Sequence, residues 1–358
     1  MPVTVAVHYQ SIQGHRVDAV MSERQPIMIR SKRAVRAVLA LAAAALAVTA
    51  CSSGGKQETS SSSGGGVAAS TPKLTIAMIT HAAPGDTFWD IIRKGASAAA
   101  TKDNVQVQYS SDPDATKQAQ LIQAAIDKKV DGIAVTDPNT PALGDTIKKA
   151  IAAGIPVTMF NAGGPDALGL GALGYFGQGE KEAGVAVGKK AVADGAKNIL
   201  CVNQTQGQQQ LVDRCDGVKE GAAGATVTQI YVNGTDDSAV TTTIEAKLTQ
   251  DTSVNYVVTL GAPIALDAVK SVKGANSSAK IGTFDTNKQL VAAIQDGSVQ
   301  WAVDQQPYMQ GYLAIDAIWW YRTNGNTLGG GQNVATGPAF IDKSNIEAVA
   351  KFAANGTR

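Results

Sequence analysis

From Leu74 onward, short runs rich in apolar and β-branched residues alternate with helix-length segments, and no other feature constrains the fold as much. The runs 74–80, 105–109, 132–136 and 155–160 read as a first series of strands, separated by helices over 86–102, 115–128 and 141–152. A second series of strands at 198–202, 226–232, 256–260, 280–284 and 300–303 is interleaved with helices at 180–193, 208–221, 239–250, 263–272 and 287–296. Strands that alternate with helices pair in parallel, and the crossover helices cover the sheet faces. The chain therefore predicts an α/β fold of two doubly wound parallel-sheet lobes.

In such sheets a ligand lies beyond the carboxyl ends of the strands. The residues there are His81, Asp137, Asn161, Asn203, Gln204, Gly261, Asp285, Asp304 and Gln305. Most are short polar groups that accept and donate hydrogen bonds, which points to a neutral polyhydroxyl ligand. Composition narrows the chemistry. Of the three histidines, His8, His15 and His81, only His81 lies in the body of the chain. A multi-histidine metal site is excluded, and any Ser-His-Asp or Cys-His arrangement would depend on that one residue. Residues 51–358 carry 25 Lys/Arg against 28 Asp/Glu with no basic run, which argues against nucleic acid as a partner. Gly169-Leu-Gly-Ala-Leu-Gly174 matches a dinucleotide pattern, but Pro165-Asp166 interrupts its approach and the following Tyr175-Phe176 looks extended. That motif needs a strand before it and a helix opening on it, so this one reads as a glycine-rich loop. No cofactor and no metal is expected.

The amino-terminal region reads as an address. Ser31–Arg36 is basic and leads into an apolar stretch of 14 residues, Ala37–Ala50. That is short of the roughly 20 residues a spanning helix needs, and it suits a secretory signal. Val48-Thr49-Ala50-Cys51 resembles a bacterial lipobox, which implies cleavage before Cys51 and lipidation of its sulfur. A start at Met28 would give a 23-residue signal, so 1–50 is expected to comprise a mis-called start and the signal peptide. Residues 51–71 are Ser/Gly-rich and read as a flexible, lipid-anchored linker. The folded body would then sit outside the cytoplasm, at the outer face of the cell membrane. Cys201 and Cys215 remain as a pair, and an oxidising compartment favours a disulfide over two buried thiols.

Four motifs extend the reading: Pro84-Gly-Asp-Thr-Phe-Trp89, Asp131-Gly-Ile-Ala-Val-Thr-Asp-Pro138, Gly282-Thr-Phe-Asp285 and Asp304-Gln-Gln-Pro-Tyr-Met-Gln-Gly-Tyr312. In their order and spacing the body, from Lys73 to about Lys351, resembles the sugar-binding lipoproteins of ABC importers, the periplasmic-binding-protein type I family that includes ribose-binding protein. The resemblance implies two lobes joined by a three-strand hinge, closing on a sugar in the cleft. The lobes would be 72–160 with 306–335, and 161–305 with 336–358. It also implies a monomer that serves an ABC permease and its ATPase and performs no chemistry.

Carried onto this sequence, the resemblance makes at least one of Phe88 and Trp89, with Trp89 preferred, a stacking surface for a sugar ring. Asp285 would accept from adjacent hydroxyls, with a helix N-cap as its competing role. Gln305, Asn161, Arg214, His81, Asp86 and Asp137 complete the candidate ligand set, Asn161 also being placed for a hinge role. Two departures bear on specificity. Where ribose binders carry an acidic residue after Asn-Pro, this chain has Asp137-Pro-Asn-Thr140, and where they carry Asn-Asp it has Leu260-Gly-Ala-Pro263. An unpaired buried hydroxyl costs about 1–3 kcal/mol, so a different pentose, a hexose or a sugar alcohol is expected. The alternative is a receptor of the same fold feeding a sensor kinase.

Overall fold

The computed structural model describes residues 71–358. The expected start at Met28, the signal peptide, the lipidation site Cys51 and nearly all of the linker lie outside the described residues. No helix among the described residues is long and apolar enough to cross a membrane.

The first series runs β1 (Leu74–Thr80), α1 (Phe88–Asp103), β2 (Val105–Ser111), α2 (Ala115–Asp127), β3 (Gly132–Val135), α3 (Thr140–Ala152), β4 (Val157–Phe160), α4 (Ala167–Leu170) and β5 (Tyr175–Gln178). The second runs α5 (Glu180–Ala193), β6 (Asn198–Asn203), α6 (Gln209–Gly221), β7 (Thr226–Tyr231), α7 (Asp237–Gln250), β8 (Tyr256–Thr259), α8 (Ala262–Gly274), β9 (Lys280–Phe284), α9 (Lys288–Asp296) and β10 (Trp301–Asp304). The chain closes with α10 (Pro307–Asn324), β11 (Val334–Gly337), β12 (Ala339–Asp342) and α11 (Ile346–Ala354).

Two six-stranded sheets result, ordered β11-β5-β4-β3-β1-β2 and β12-β10-β9-β8-β6-β7. Every pairing is parallel except β10 with β12. Central strands such as β3 and β8 are buried along their whole length, as expected where helices cover both faces. The edge strand β2 instead alternates, with Val105 buried and Gln106 exposed. Helix α1 turns Trp89, Ile92, Ala96 and Ala99 inward at helical spacing, and Asn104 ends it in the left-handed conformation.

The chain crosses between lobes after β5, after β10 and after β11. The first crossing corrects the expected boundary at 160/161. Tyr175–Gln178 pairs with β4 and β11, so the first lobe keeps the chain until Gly179. The glycine-rich stretch 169–174 lies just before β5. It holds only the short α4 and a turn before β5, and it opens no helix.

One close approach prepares the site. Helices α5 and α6 pack so tightly that a side chain at Gly217 would meet the Lys181 carbonyl. That glycine lets α6 carry Arg214 up to the first turn of α5. Cys201 on β6 and Cys215 on α6 are joined by a disulfide, with Cα atoms 5.9 Å apart. The bridge ties the helix carrying Arg214 to its sheet.

Candidate functional site

The carboxyl ends of both sheets face one another, and the lobes meet there. Gln210 on α6 donates its amide to His81 Nε2 at 3.1 Å, and the Gln209 N–H donates to the Pro138 carbonyl at 2.9 Å. His81 belongs to the first lobe: its ring Nδ1 lies 2.8 Å from Thr136 Oγ1 and its edge meets Trp89, centroids 4.8 Å apart. Since Nε2 accepts from Gln210, the proton sits on Nδ1 and is donated to Thr136. Burial, and then the charge of Arg214, push the His81 pKa down to about 3, so this imidazole stays neutral at working pH.

In the second lobe Arg214 is 3% exposed and fully engaged. Its Nε and Nη2 donate to the two oxygens of Glu180, at 2.7 and 3.1 Å, and Nη1 donates to the Leu260 carbonyl at 2.9 Å. The guanidinium also lies 4.6 Å from the centre of the Phe284 ring. The cation at the centre of the site is therefore already neutralised within its own lobe.

Asp285 follows β9 with φ of 66° and accepts from Gln305 Nε2 at 2.6 Å. It does not cap α9; Asn287 does, accepting from the Leu290 N–H at 2.8 Å. Burial raises the Asp285 pKa to about 7, against the pull of Arg214 and Gln305 and with help from Glu180 and Asp86. Gln305 in turn accepts from Asn161 Nδ2 at 3.1 Å and from Gln310 Nε2 at 3.0 Å. Gln310 also donates to Thr336 at 3.1 Å, so this network reaches the second and third crossings. Asn161 and Gln305 thus connect the hinge to the carboxylate of Asp285.

Asp137 is 2% exposed, with one oxygen accepting from the Asn139 N–H at 3.1 Å and the other buried without a protein partner. Burial raises its pKa to about 6. Asp86 lies at the rim and accepts from the Phe88 N–H at 3.0 Å. Phe88 and Trp89 meet edge-on, centroids 5.4 Å apart. Trp89 is packed into the first lobe's core, whereas Phe88 keeps the more accessible ring.

Two contributors escaped the sequence reading. Glu180 follows β5, a strand outside the predicted series, so no predicted strand end points to it. Gln210 lies inside a helix, where position along the chain gives no sign that its amide reaches the opposite lobe. Gln204 was noted only as following β6; a Cβ at Gly261 would lie 3.2 Å from its Nε2, so this amide occupies the place left by the missing side chain. The buried oxygens of Gln204 and Gln210 and the Asn203 amide nitrogen have no protein partner. Among the described residues no group of His, Cys, Asp and Glu is placed to hold a metal ion.

Residues 76–325 match the periplasmic binding protein domain family. The chain is 29% identical over 261 residues to the xylose/arabinose-binding protein XylF of Sulfolobus acidocaldarius, covering 68% of this chain and 64% of that protein. It is similar to the crystal structure of a carbohydrate transporter from Acidothermus cellulolyticus in complex with myo-inositol. There the identity is 60%, the TM-score 0.79, and the match covers 80% of this chain and 100% of that one. A solute-binding protein of an ABC transporter from Agrobacterium vitis, bound with α-D-tagatopyranose, matches at 26% identity and a TM-score of 0.69, over 78% of this chain and 98% of that one. This chain, with two parallel-sheet lobes joined by three crossings, belongs to the periplasmic binding protein family, type I, whose members bind solutes for transport and are not enzymes.

Proposed function

We propose that this protein captures a neutral monosaccharide or sugar alcohol between its lobes, closes on it, and delivers it to an ABC permease driven by an ATPase. The observation that carries this reading is the charge pattern of the cleft. Arg214 is neutralised by Glu180, while Asp285, Asp137 and Asp86 contribute acceptors. Such a site repels sugar phosphates and sugar acids, and its partnerless buried amide and carboxyl atoms match hydroxyls that both donate and accept. The accessible ring of Phe88 offers an apolar face for ring C–H groups.

Cyclic polyols head the list of candidate ligands, because the relative at 60% identity holds myo-inositol. Pentoses follow, from the name of the archaeal relative. The protein acts as a monomer, secreted through its signal peptide and held at the outer face of the membrane by lipid on Cys51. Ligands would be ranked by thermal shift of the purified protein with myo-inositol, xylose, arabinose, tagatose, ribose, a sugar phosphate and an amino acid. A ligand at a thousandfold excess over its Kd stabilises the fold by about 4 kcal/mol. A shift with an inositol or a neutral sugar supports the reading; a shift only with the phosphate or the amino acid overturns it.

A further inference from the structure

The four tryptophans of the chain divide into two kinds. Trp89 and Trp301 are 4% and 1% exposed, one in each lobe's core. Trp319 and Trp320 are only half-buried and lie side by side near the end of α10, ring centroids 4.8 Å apart. Tyr321 beside them is 40% exposed. Both indole N–H groups are already engaged, Trp319 with Thr71 Oγ1 and Trp320 with Asp316 Oδ2, each at 3.2 Å. What these rings leave exposed is therefore apolar.

Their position gives the cluster meaning. Helix α10 starts at the second crossing and runs away from the cleft, so its last turns lie at the far pole of the first lobe, where β1, β2 and β3 begin. The chain enters the body at the same pole: Thr71 accepts from Trp319 through its hydroxyl and from Asn104 Nδ2 through its carbonyl, the latter at 2.9 Å. Charged groups of both signs surround the rings: Lys102 is paired with Asp316 and Asp103, and Arg322 with Asp131. The Lys102 ammonium lies 5.2 Å from the Tyr312 ring centre and 5.9 Å from that of Trp319. Arg322 is 3.4 Å from Asp131, and the exposed Lys73, Lys128 and Lys129 precede β1 and β3, which begin at this pole.

We propose that this aromatic pole, edged by exposed lysines, rests in the headgroup layer of the bilayer that holds the anchor. The inference rests on the proposed lipidation of Cys51. Ser52–Thr71, which separates Cys51 from the body, is 20 residues long. It joins the body at this same pole, at Thr71. Tryptophan and tyrosine favour the membrane–water interface, and Lys and Arg at its edge meet anionic headgroups.

The test uses the full lipidated chain bound to phosphatidylcholine vesicles, with and without phosphatidylglycerol, and with brominated acyl chains as fluorescence quenchers. Co-sedimentation with the vesicles reports the anchor, and quenching reports the pole. The expected result is co-sedimentation with a loss of tryptophan emission that disappears in Trp319→Phe/Trp320→Phe. Hydrogen exchange at 319–326, slowed on vesicles relative to detergent, gives the same answer without a variant. Co-sedimentation with unquenched emission and unchanged exchange overturns the proposal while leaving the anchor intact. Failure to co-sediment overturns the anchor, and the proposal with it.

Discussion

Asp285 is the group through which ligand affinity should depend on pH. Its carboxylate accepts from Gln305 at 2.6 Å, and burial holds its pKa near 7. The charged groups facing it are Arg214, Glu180 and Asp86. A sugar hydroxyl that donates to this group binds the ionised form, so ligand binding must first remove the proton wherever the pH lies below about 7. Each pH unit below that point weakens binding tenfold, or about 1.4 kcal/mol. At pH 5 about one carboxyl in a hundred is ionised, which predicts a loss of about a hundredfold relative to pH 8. The unliganded fold responds in the opposite sense. A folded-state pKa raised from 3.8 to about 7 stabilises the fold at low pH, and that stability is lost as the pH climbs toward 7. Titration calorimetry from pH 5 to 8.5, on the wild type and on Asp285→Asn, checks both the slope and its origin. The variant should bind about tenfold to a hundredfold more weakly at pH 8, since a charge-assisted bond contributes about 1.5–3 kcal/mol, and its profile should flatten. A flat wild-type profile, or a slope that survives in Asp285→Asn, refutes the reasoning. Asp137, with its pKa near 6, would then be the group to examine.

Three further outcomes are expected. Gln210→Ala removes the contact that joins His81 to the second lobe and should weaken ligand binding about tenfold, the worth of about 1–1.5 kcal/mol of hydrogen bonding. The loss should appear as a faster off-rate by stopped flow, and an unchanged off-rate would show that the contact does not hold the lobes together. Glu180→Ala leaves the Arg214 charge buried without its partner, and urea denaturation should report a loss of about 3–5 kcal/mol; a loss under 1 kcal/mol would mean that water reaches the guanidinium. Replacing Cys201 and Cys215 with alanine opens a short loop and should cost about 3 kcal/mol in the same assay, without altering which ligand is bound.

Much of the architecture was legible in the chain because burial on both sheet faces writes itself as apolar runs. Leu74–Thr80 and Lys280–Phe284 have the ends expected of them, and Glu180–Ala193 does too. β5 was hidden because Tyr175-Phe176-Gly177-Gln178 is a short strand that follows a glycine-rich stretch, and its pairing with β11 joins residues more than 150 positions apart. The carboxyl-end rule located Asp137, Asp285 and Gln305 because it needs only strand ends. It could not reveal how each side chain's hydrogen bonds are distributed.

Sequence alone determined the α/β alternation and the polar character of the strand ends, since each follows from local composition and spacing. Only the tertiary structure decided that Arg214 is neutralised by Glu180, that Gln210 reaches His81 across the cleft, and that Asn161 and Gln305 couple the hinge to Asp285. Those are contacts between residues distant along the chain. Such contacts, together with the desolvation that shifts pKa values, come into existence when the lobes pack.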